Sequence, residues 1–170
     1  MMSSALLAMG VTAPSRAQSD ASATFTGTWR LGTSMTEAER EVDQAVDRAV
    51  SAMQFFERPI ARDRLRSGTT VNRTIVLAFH GERATVRFAT GDSYTTQLGH
   101  TERRVEDGEA MRVTQRVRSD GSLEQVFQTD SGTRWYVYRP QDDGTLRVEV
   151  ITNSDRMPQA MRFTLPYRRE

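Results

Sequence analysis

Short turn signals recur at regular intervals through the second half of the sequence, and they limit the possible folds more than any other feature. Each signal separates a short segment rich in β-branched and aromatic residues, which is typical of a strand. The signals are His80-Gly81-Glu82, Thr90-Gly91-Asp92, Asp107-Gly108, Ser119-Asp120-Gly121, Asp130-Ser131-Gly132, Asp142-Asp143-Gly144 and Asn153-Ser154-Asp155. Short strands joined by hairpins predict an antiparallel meander, and such a meander closes into a barrel to remove its exposed edges.

One helical segment interrupts this pattern near the start of the chain. A first strand over 24–31 is followed by apolar residues at helical spacing, opposite a charged face. Thr36 and Glu39 have the spacing of a capping box, and Pro59 disfavours a helix in the residue before it. We therefore predict a helix from Thr36 to Phe56, with a further short turn at 60–65. The predicted fold is mainly β: a closed antiparallel up-and-down barrel of about 8–10 strands with one amphipathic helix inserted after the first strand.

The N-terminal segment resembles a secretory signal peptide. Residues 1–18 hold a short apolar stretch followed by small residues, with Ala17 at the expected cleavage point. No basic residue precedes the apolar stretch, so an unstructured tail is the alternative. No other apolar run reaches the roughly 18 residues that cross a bilayer. We expect a signal peptide at 1–18, a single barrel domain at 22–170, a periplasmic or secreted location, and no stable membrane span.

Composition excludes several classes of function. The chain has 23 basic and 22 acidic residues, a net charge of +1, so we expect no nucleic-acid partner. All basic residues are arginine, which excludes a lysine Schiff base, and the lack of cysteine excludes thiol chemistry and cysteine-ligated zinc. His80 and His100 lie beside glycines at predicted strand ends, where neither is placed to ligate a metal or haem. We predict no cofactor and no metal site.

Strand alternation predicts which side chains face the barrel interior. Leu146, Val148 and Val150 share the inward face of one predicted strand. The same alternation places the amides of Gln115 and Gln125 among inward apolar residues. An unpaired buried amide costs about 1–3 kcal/mol, so these residues favour a partly hydrated cavity over a filled core. The pattern alone leaves both arrangements open.

Several fragments, in order along the chain, resemble the calycin superfamily of lipocalins and intracellular fatty-acid-binding proteins. A helix directly after the first strand resembles the lid of the fatty-acid-binding group more than the lipocalin layout. The resemblance implies a barrel that binds a small hydrophobic molecule, and with the N-terminal segment it fits an exported bacterial member. The matching fragments are Phe25-Thr26-Gly27-Thr28-Trp29-Arg30-Leu31, Gly121-Ser122-Leu123-Glu124-Gln125-Val126, Arg139 before Asp143-Gly144-Thr145-Leu146, and Phe163-Thr164-Leu165-Pro166-Tyr167-Arg168.

The resemblance also implies roles for individual residues. Arg139 occupies the position of an inward arginine that meets the ligand carboxylate in that group, and Tyr167 matches the tyrosine of its closing Arg-x-Tyr pair. Leu165 stands in place of the partner arginine, which leaves a single cation for an anionic head group. The alternatives are that Arg139 is an exposed residue paired with Asp142 or Asp143, and that Tyr167 belongs to the core.

We therefore expect a monomer that binds and carries a small hydrophobic ligand, fatty-acid-like or lipid-like and with a possible carboxylate, without catalysis. The candidate ligand-binding residues are Arg139, Tyr167, Gln125, Phe127, Gln115, Met111, Phe88 and Tyr94. One alternative is a periplasmic protein-binding module or inhibitor built on a filled barrel. A lesser alternative is a cyclase or decarboxylase on the same scaffold, using Tyr94, Tyr167 and Arg139, although no general base with an evident partner is found.

Overall fold

The computed structural model describes residues 22–106 and 108–170. The segment at 1–18, with its predicted signal peptide, lies outside these residues. Ten strands and two long helices make up the described chain. The helices are α1 (Met35–Ser51) and α2 (Arg58–Ser67), and the strands are β1 (Gly27–Leu31), β2 (Thr74–His80), β3 (Arg83–Phe88), β4 (Ser93–Gln97), β5 (Thr101–Glu106), β6 (Glu109–Val117), β7 (Leu123–Thr129), β8 (Gly132–Pro140), β9 (Thr145–Asn153) and β10 (Met161–Arg169).

The strands form one antiparallel sheet in the order β4-β3-β2-β1-β10-β9-β8-β7-β6-β5. Except for β4 and β5, strands that follow each other in the chain are neighbours in the sheet, and β1 pairs with β10. The predicted up-and-down barrel is therefore confirmed, and it is nearly closed. Across the described strands, no backbone ladder joins β4 to β5. Side chains bridge this gap instead: Thr96 Oγ1 donates to Gln115 Oε1 at 3.0 Å, and Arg104 Nη1 donates to the Ser93 carbonyl at 3.0 Å.

The first strand and the first helix differ from the sequence prediction at their ends. Residues 22–25 form a helical turn, closed by the Thr26 amide on the Ser22 carbonyl at 3.0 Å, so the strand begins at Gly27 and not at residue 24. The capping box of α1 is Ser34 with Glu37, whereas Thr36 with Glu39 was predicted. Both pairs have the required spacing, and the extended backbone of Ser34 selects the earlier one.

The single helix predicted from Thr36 to Phe56 is two helices. Arg58 ends the first of them, because its Nη2 and Nε donate to the carbonyls of Ser51 and Met53 at 2.9 and 3.0 Å. Pro59 then lies in the first turn of α2, where a residue without an amide hydrogen is tolerated. The short turn predicted at 60–65 is therefore part of a ten-residue helix.

Both helices cover one end of the barrel, called here the helix end. The inner face of α1 is buried against the sheet through Ala38, Val42, Ala45, Val46, Ala49 and Val50. α2 is attached more loosely: none of its residues is buried, and it is tied to α1 by the ion pairs Arg62–Asp47 and Arg66–Asp43. No helix in the described ranges is both long and apolar enough to cross a membrane.

The opposite end of the barrel is closed by packed aromatic groups. Trp29 is 2% exposed, and its indole nitrogen donates to the Phe25 carbonyl at 2.9 Å. The Phe25 ring stacks on Phe79 with centroids 5.9 Å apart, and the Arg169 guanidinium lies 4.8 Å from the Trp29 ring centroid. Because this end is filled, a small molecule would have to enter at the helix end or through the gap between β4 and β5.

Candidate ligand site

Four aromatic side chains from four strands meet inside the helix end of the barrel, and we call them the aromatic layer. They are Phe88 on β3, Tyr94 on β4, Phe127 on β7 and Tyr136 on β8. Their centroids form a closed cycle, with separations of 6.1 Å for Phe88–Tyr94, 4.8 Å for Tyr94–Phe127, 5.8 Å for Phe127–Tyr136 and 5.4 Å for Tyr136–Phe88. Since β3 and β4 lie across the barrel from β7 and β8, the layer spans the interior. The interior at this level is therefore occupied by aromatic side chains.

Two fully buried glutamines lie beside this layer, directly opposite each other on β6 and β7. Gln115 is satisfied, because its Oε1 accepts from Thr96 and its Nε2 donates to the Tyr94 carbonyl at 3.3 Å. Gln125 accepts from the Tyr138 hydroxyl at 3.0 Å, but its Nε2 has no hydrogen-bond partner within the described chain. A buried donor left in this state destabilises a protein by about 1–3 kcal/mol, so Gln125 is suited to meeting an acceptor from outside.

Tyr136 adds a second unpaired donor at the same place. It is the register partner of Gln125, and alternation directs both side chains inward. Its hydroxyl makes no hydrogen bond to any described residue, and the side chain is only partly buried. Phe127 is also partly buried. The inner surface of β7 and β8 is therefore partly accessible to solvent at these two side chains, although the aromatic layer crosses the barrel.

Tyr94 links the aromatic layer to the gap between β4 and β5. Its hydroxyl donates to Glu106 at 3.0 Å, and the Arg104 guanidinium lies 5.4 Å from its ring centroid. Burial, together with the hydrogen bond to Glu106, raises the pKa of Tyr94. Tyr94 therefore remains a neutral donor at physiological pH and is unsuited to act as a general base.

Arg134 places a cation on the inner face that sequence reasoning missed. It shares the inward face of β8 with Tyr136 and Tyr138, and its Nε donates to Thr152 Oγ1 on β9 at 3.1 Å. No carboxylate of the described residues lies within 4.0 Å of its guanidinium. Alternation from the inward Tyr138 would have identified Arg134, because residues four apart on a strand share a face.

Arg139, by contrast, does not face the interior, and the expectation that it does is wrong. Its Nη1 donates to Glu149 Oε2 at 2.6 Å, and Arg162 donates to the other oxygen at 2.6 Å, all on the outer surface of the barrel. The physical reason is the two-residue period of a strand: Tyr138 points inward, so Arg139 points outward. The alternative pairing with Asp142 or Asp143 is also wrong. Although burial opposes it, the two guanidinium groups hold the pKa of Glu149 below its usual range.

Tyr167 and Met111, the remaining predicted ligand contacts, lie apart from the four-ring cycle. Tyr167 is 2% exposed, and its hydroxyl donates to the Asn72 carbonyl at 2.7 Å, which anchors the connection between α2 and β2. Burial raises the pKa of this phenol. Met111 is buried on the inward face of β6, as register partner of Arg104 near the helix end. Of the eight predicted residues, the structure brings together Phe88, Tyr94, Phe127, Gln115 and Gln125.

Two surface grooves lie outside the barrel. One of about 440 Å³ runs between α1 and the start of β10 and is lined by Ala45, Arg48, Gln159, Ala160 and Arg162. The other, of about 310 Å³, lies between the two helices and is lined by Asp43, Val46, Asp47, Arg62, Asp63 and Arg66. The second is occupied by the ion pairs that join the helices.

Within 22–106 and 108–170, no three histidine or carboxylate side chains are grouped as a metal site requires.

Comparison with known proteins identifies the class of fold. The sequence matches no family profile and no curated protein. A fatty-acid-binding protein of Echinococcus granulosus matches in structure with a TM-score of 0.54 and 14% identity, over 86% of this chain and 98% of that one. A Schistosoma mansoni fatty-acid-binding protein, in complex with arachidonic acid, matches with a TM-score of 0.52 and 16% identity, over 88% and 98%.

A secretory abundant heat soluble protein of Ramazzottius varieornatus matches with a TM-score of 0.58 and 9% identity, over 86% of this chain and 96% of that one. All three proteins are matched along nearly their whole length. The fold is a calycin-like β-barrel, as the resemblance in the sequence predicted. At these identities the likeness concerns the fold.

Proposed function

We propose that this protein binds a small hydrophobic molecule, fatty-acid-like or lipid-like, inside the helix end of its barrel and performs no reaction on it. The observation that carries the proposal is the fully buried Nε2 of Gln125, which has no partner in the described chain and lies among aromatic side chains. The Tyr136 hydroxyl and the Arg134 guanidinium add further donors on the same inner surface. An apolar wall with a few convergent polar groups is the usual form of a small-molecule site.

The fold of the neighbours supports the same class of ligand. Two of them are fatty-acid-binding proteins, and one of these holds arachidonic acid. These two neighbours are binding proteins and not enzymes, which favours a non-catalytic role at the level of the fold. The raised pKa values of Tyr94 and Tyr167 add to this, because both phenols stay neutral and neither can serve as a base near neutral pH.

Binding requires movement at the helix end, because the aromatic layer occupies the interior. α2 is the element best suited to move: none of its residues is buried, whereas α1 buries a continuous apolar face. The two ion pairs that hold α2 to α1 are exposed, and such pairs contribute about 0–1 kcal/mol each. We infer that the ligand enters beneath α2 and lies against the aromatic layer.

The test is a titration with a dansyl-labelled undecanoic acid, followed by its displacement with unlabelled fatty acids. We expect saturable binding with a blue-shifted emission, and co-purified lipid in native mass spectrometry. Tyr136→Phe removes only an unbonded hydroxyl and should weaken binding. Trp135→Phe, on the outer face of the same strand, is the matched control. If the probe shows no saturable binding and no lipid co-purifies, the proposal is wrong.

A second candidate, a protein-binding module, is favoured by one observation. Phe55 and Phe56, in the connection between α1 and α2, are 81% and 67% exposed and lie edge to face with centroids 6.5 Å apart. Exposed aromatic side chains of this kind are enriched in protein interfaces. This candidate predicts that Phe55→Ser with Phe56→Ser abolishes capture of a partner and leaves the binding of fatty acids unaffected. The ligand-binding proposal predicts that hydrogen exchange in β7 and β8 slows when a fatty acid is added.

A further inference from the structure

The outer wall of the barrel is basic along β6–β10. Its outward strand positions hold two carboxylates, Glu124 and Glu149, and each of these is paired with two arginines, so each group keeps a positive charge. Most of the other carboxylates of the described chain lie in the helices and turns. This wall therefore attracts anions although the net charge of the chain is only +1. Its outward strand arginines are Arg112, Arg116, Arg139, Arg147, Arg162 and Arg168.

A row of apolar side chains crosses the same wall. Trp135 on the outer face of β8 is the register partner of Val126 on β7 and of Ile151 on β9, and Ile151 is in turn the partner of Arg162 on β10. The three apolar side chains are all partly exposed. Because neighbouring strands lie about 4.8 Å apart, the backbone positions of Trp135 and Arg162 are about 10 Å apart. Tryptophan and arginine are the side chains most enriched among the energetically important residues of protein interfaces.

The apolar row ends at the groove of about 440 Å³ between α1 and the start of β10. Two cations line this groove, Arg48 and Arg162, and their side chains are 54% and 61% exposed. No carboxylate is among the residues that line it, and the others are two alanines and a glutamine. The apolar row and the groove form one continuous surface, which we call the Trp135 face.

Both arginines of the groove have donors to spare. Arg162 donates through Nη1 to Glu149, a carboxylate that it shares with Arg139. Arg48 lies 3.5 Å from Glu41 and donates to the Arg162 carbonyl at 3.4 Å, and exposed ion pairs of this length are weak. Since a guanidinium carries five N–H groups, each arginine can still bind a carboxylate from outside the chain.

We propose that the Trp135 face binds an acidic segment of a partner protein, in extended conformation. An apolar side chain of the segment packs on Trp135, and its carboxylates bind Arg162 and Arg48. An extended chain advances about 3.3 Å per residue, so a carboxylate three residues beyond the apolar side chain spans the 10 Å between Trp135 and Arg162. A protein segment supplies both apolar and acidic side chains, whereas a phosphate backbone supplies only the charge.

The test measures binding of a fluorescein-labelled decapeptide by fluorescence anisotropy at low ionic strength. The peptide carries a leucine and, starting three residues later, three consecutive glutamates; a second peptide has glutamines in their place. The wild-type protein should bind the glutamate peptide about tenfold or more tightly, and added salt should remove most of this difference. Bound peptide should also protect Trp135 from quenching by acrylamide, since Trp29, the other tryptophan, is already buried.

Arg48→Gln combined with Arg162→Gln should weaken binding of the glutamate peptide about three- to tenfold. Arg87→Gln combined with Arg103→Gln is the matched control, because it removes two exposed arginines from β3 and β5, across the barrel from β9, and it should leave binding unchanged. Equal binding of the two peptides by the wild-type protein, or binding of neither, overturns the inference without any variant. Binding that survives the loss of Arg48 and Arg162 overturns it as well.

A single-stranded oligodeoxynucleotide and vesicles of phosphatidylglycerol test the other anionic partners. Tighter binding of either than of the glutamate peptide would overturn the inference, because the face would then serve a different class of partner. The inference is independent of the proposed function, since the fatty-acid site lies on the inner side of the sheet. Saturating decanoic acid should therefore leave the affinity for the peptide unchanged, and each of the two activities can fail without the other.

Discussion

Gln125 and Tyr136 are register partners on β7 and β8, and each directs toward the same aromatic interior a donor that no described residue accepts. Neighbouring polar side chains in a packed core normally satisfy each other or a third group. Here the Oε1 of Gln125 accepts a hydrogen bond from the Tyr138 hydroxyl, and its Nε2 is left without an acceptor. These two donors are the structural observation on which the proposal of a ligand in this interior rests.

The bond between Tyr138 and Gln125 leads to a stability prediction. Gln125→Leu leaves the fully buried Tyr138 hydroxyl without an acceptor, which costs about 1–3 kcal/mol of unfolding free energy, but it also removes the unpaired Nε2, so the net change should be small. Adding Tyr138→Phe removes both polar partners, so the double variant should be more stable than Gln125→Leu alone. Urea unfolding measures both changes. Gln128→Leu, on the outer face of the same strand, should shift stability by no more than about 0.5 kcal/mol; a double variant less stable than Gln125→Leu contradicts the prediction.

The outer position of Arg139 gives a second prediction: its substitution should change stability and leave ligand binding unchanged. Arg139→Gln removes one of the two guanidinium partners of Glu149, whose side chain is 12% exposed, and should cost about 1–3 kcal/mol of unfolding free energy. Decanoic acid should bind with unchanged affinity, because Arg139 lies on the other side of the sheet. Thermal unfolding and calorimetry measure the two effects. A selective loss of affinity for the acid would contradict this prediction and would indicate that Arg139 contacts the ligand.

The capping box of α1 predicts a dependence of stability on pH. Hydrogen bonds from the Thr33 and Ser34 hydroxyls, and from the Ser34 amide, lower the pKa of Glu37 from 4.5 to about 2. A carboxyl whose pKa is lower in the folded state stabilises the fold above its unfolded pKa, and this contribution is lost as the pH falls. The loss should therefore extend from about pH 4.5 down to about pH 2.

Glu37→Gln should make the unfolding free energy less dependent on pH across this range, as followed by circular dichroism in urea. Glu39→Gln is the matched control, because Glu39 belongs to the capping box that the structure does not form. An equal response in the two variants would show that the capping bond does not govern the effect.

The N-terminal segment gives a prediction about export. We propose that the chain is exported and cleaved after Ala17, since residues 1–18 have the small residues and apolar stretch of a signal peptide. Expression of the full chain in a Gram-negative bacterium should yield periplasmic protein whose intact mass matches a chain that begins at Gln18. The exported protein should elute as a monomer in size-exclusion chromatography with light scattering. An uncleaved product in the cytoplasm would contradict the assignment.

Part of the candidate site could be predicted from alternation alone. A two-residue period places Phe88 and Phe127 on the inner faces of their strands, and the structure has both in the aromatic layer, together with Tyr94. The same rule, applied from Tyr138, identifies Arg134. At Arg139 the resemblance and the strand period disagree: the position implied by the resemblance faces inward, whereas alternation from the inward Tyr138 directs Arg139 outward, to Glu149.

The sequence by itself determined the mainly β barrel, its hairpin connections and most of its inward-facing residues, since these follow from local turn chemistry and from the period of a strand. Only the tertiary structure decided which rings cross the interior, which carboxylate forms an ion pair with Arg139, and which buried donor is left without a hydrogen-bond partner. These outcomes depend on how strands distant in the chain are brought together when the sheet closes. An unpaired Gln125 beside a satisfied Gln115 can be distinguished only once both strands are in place.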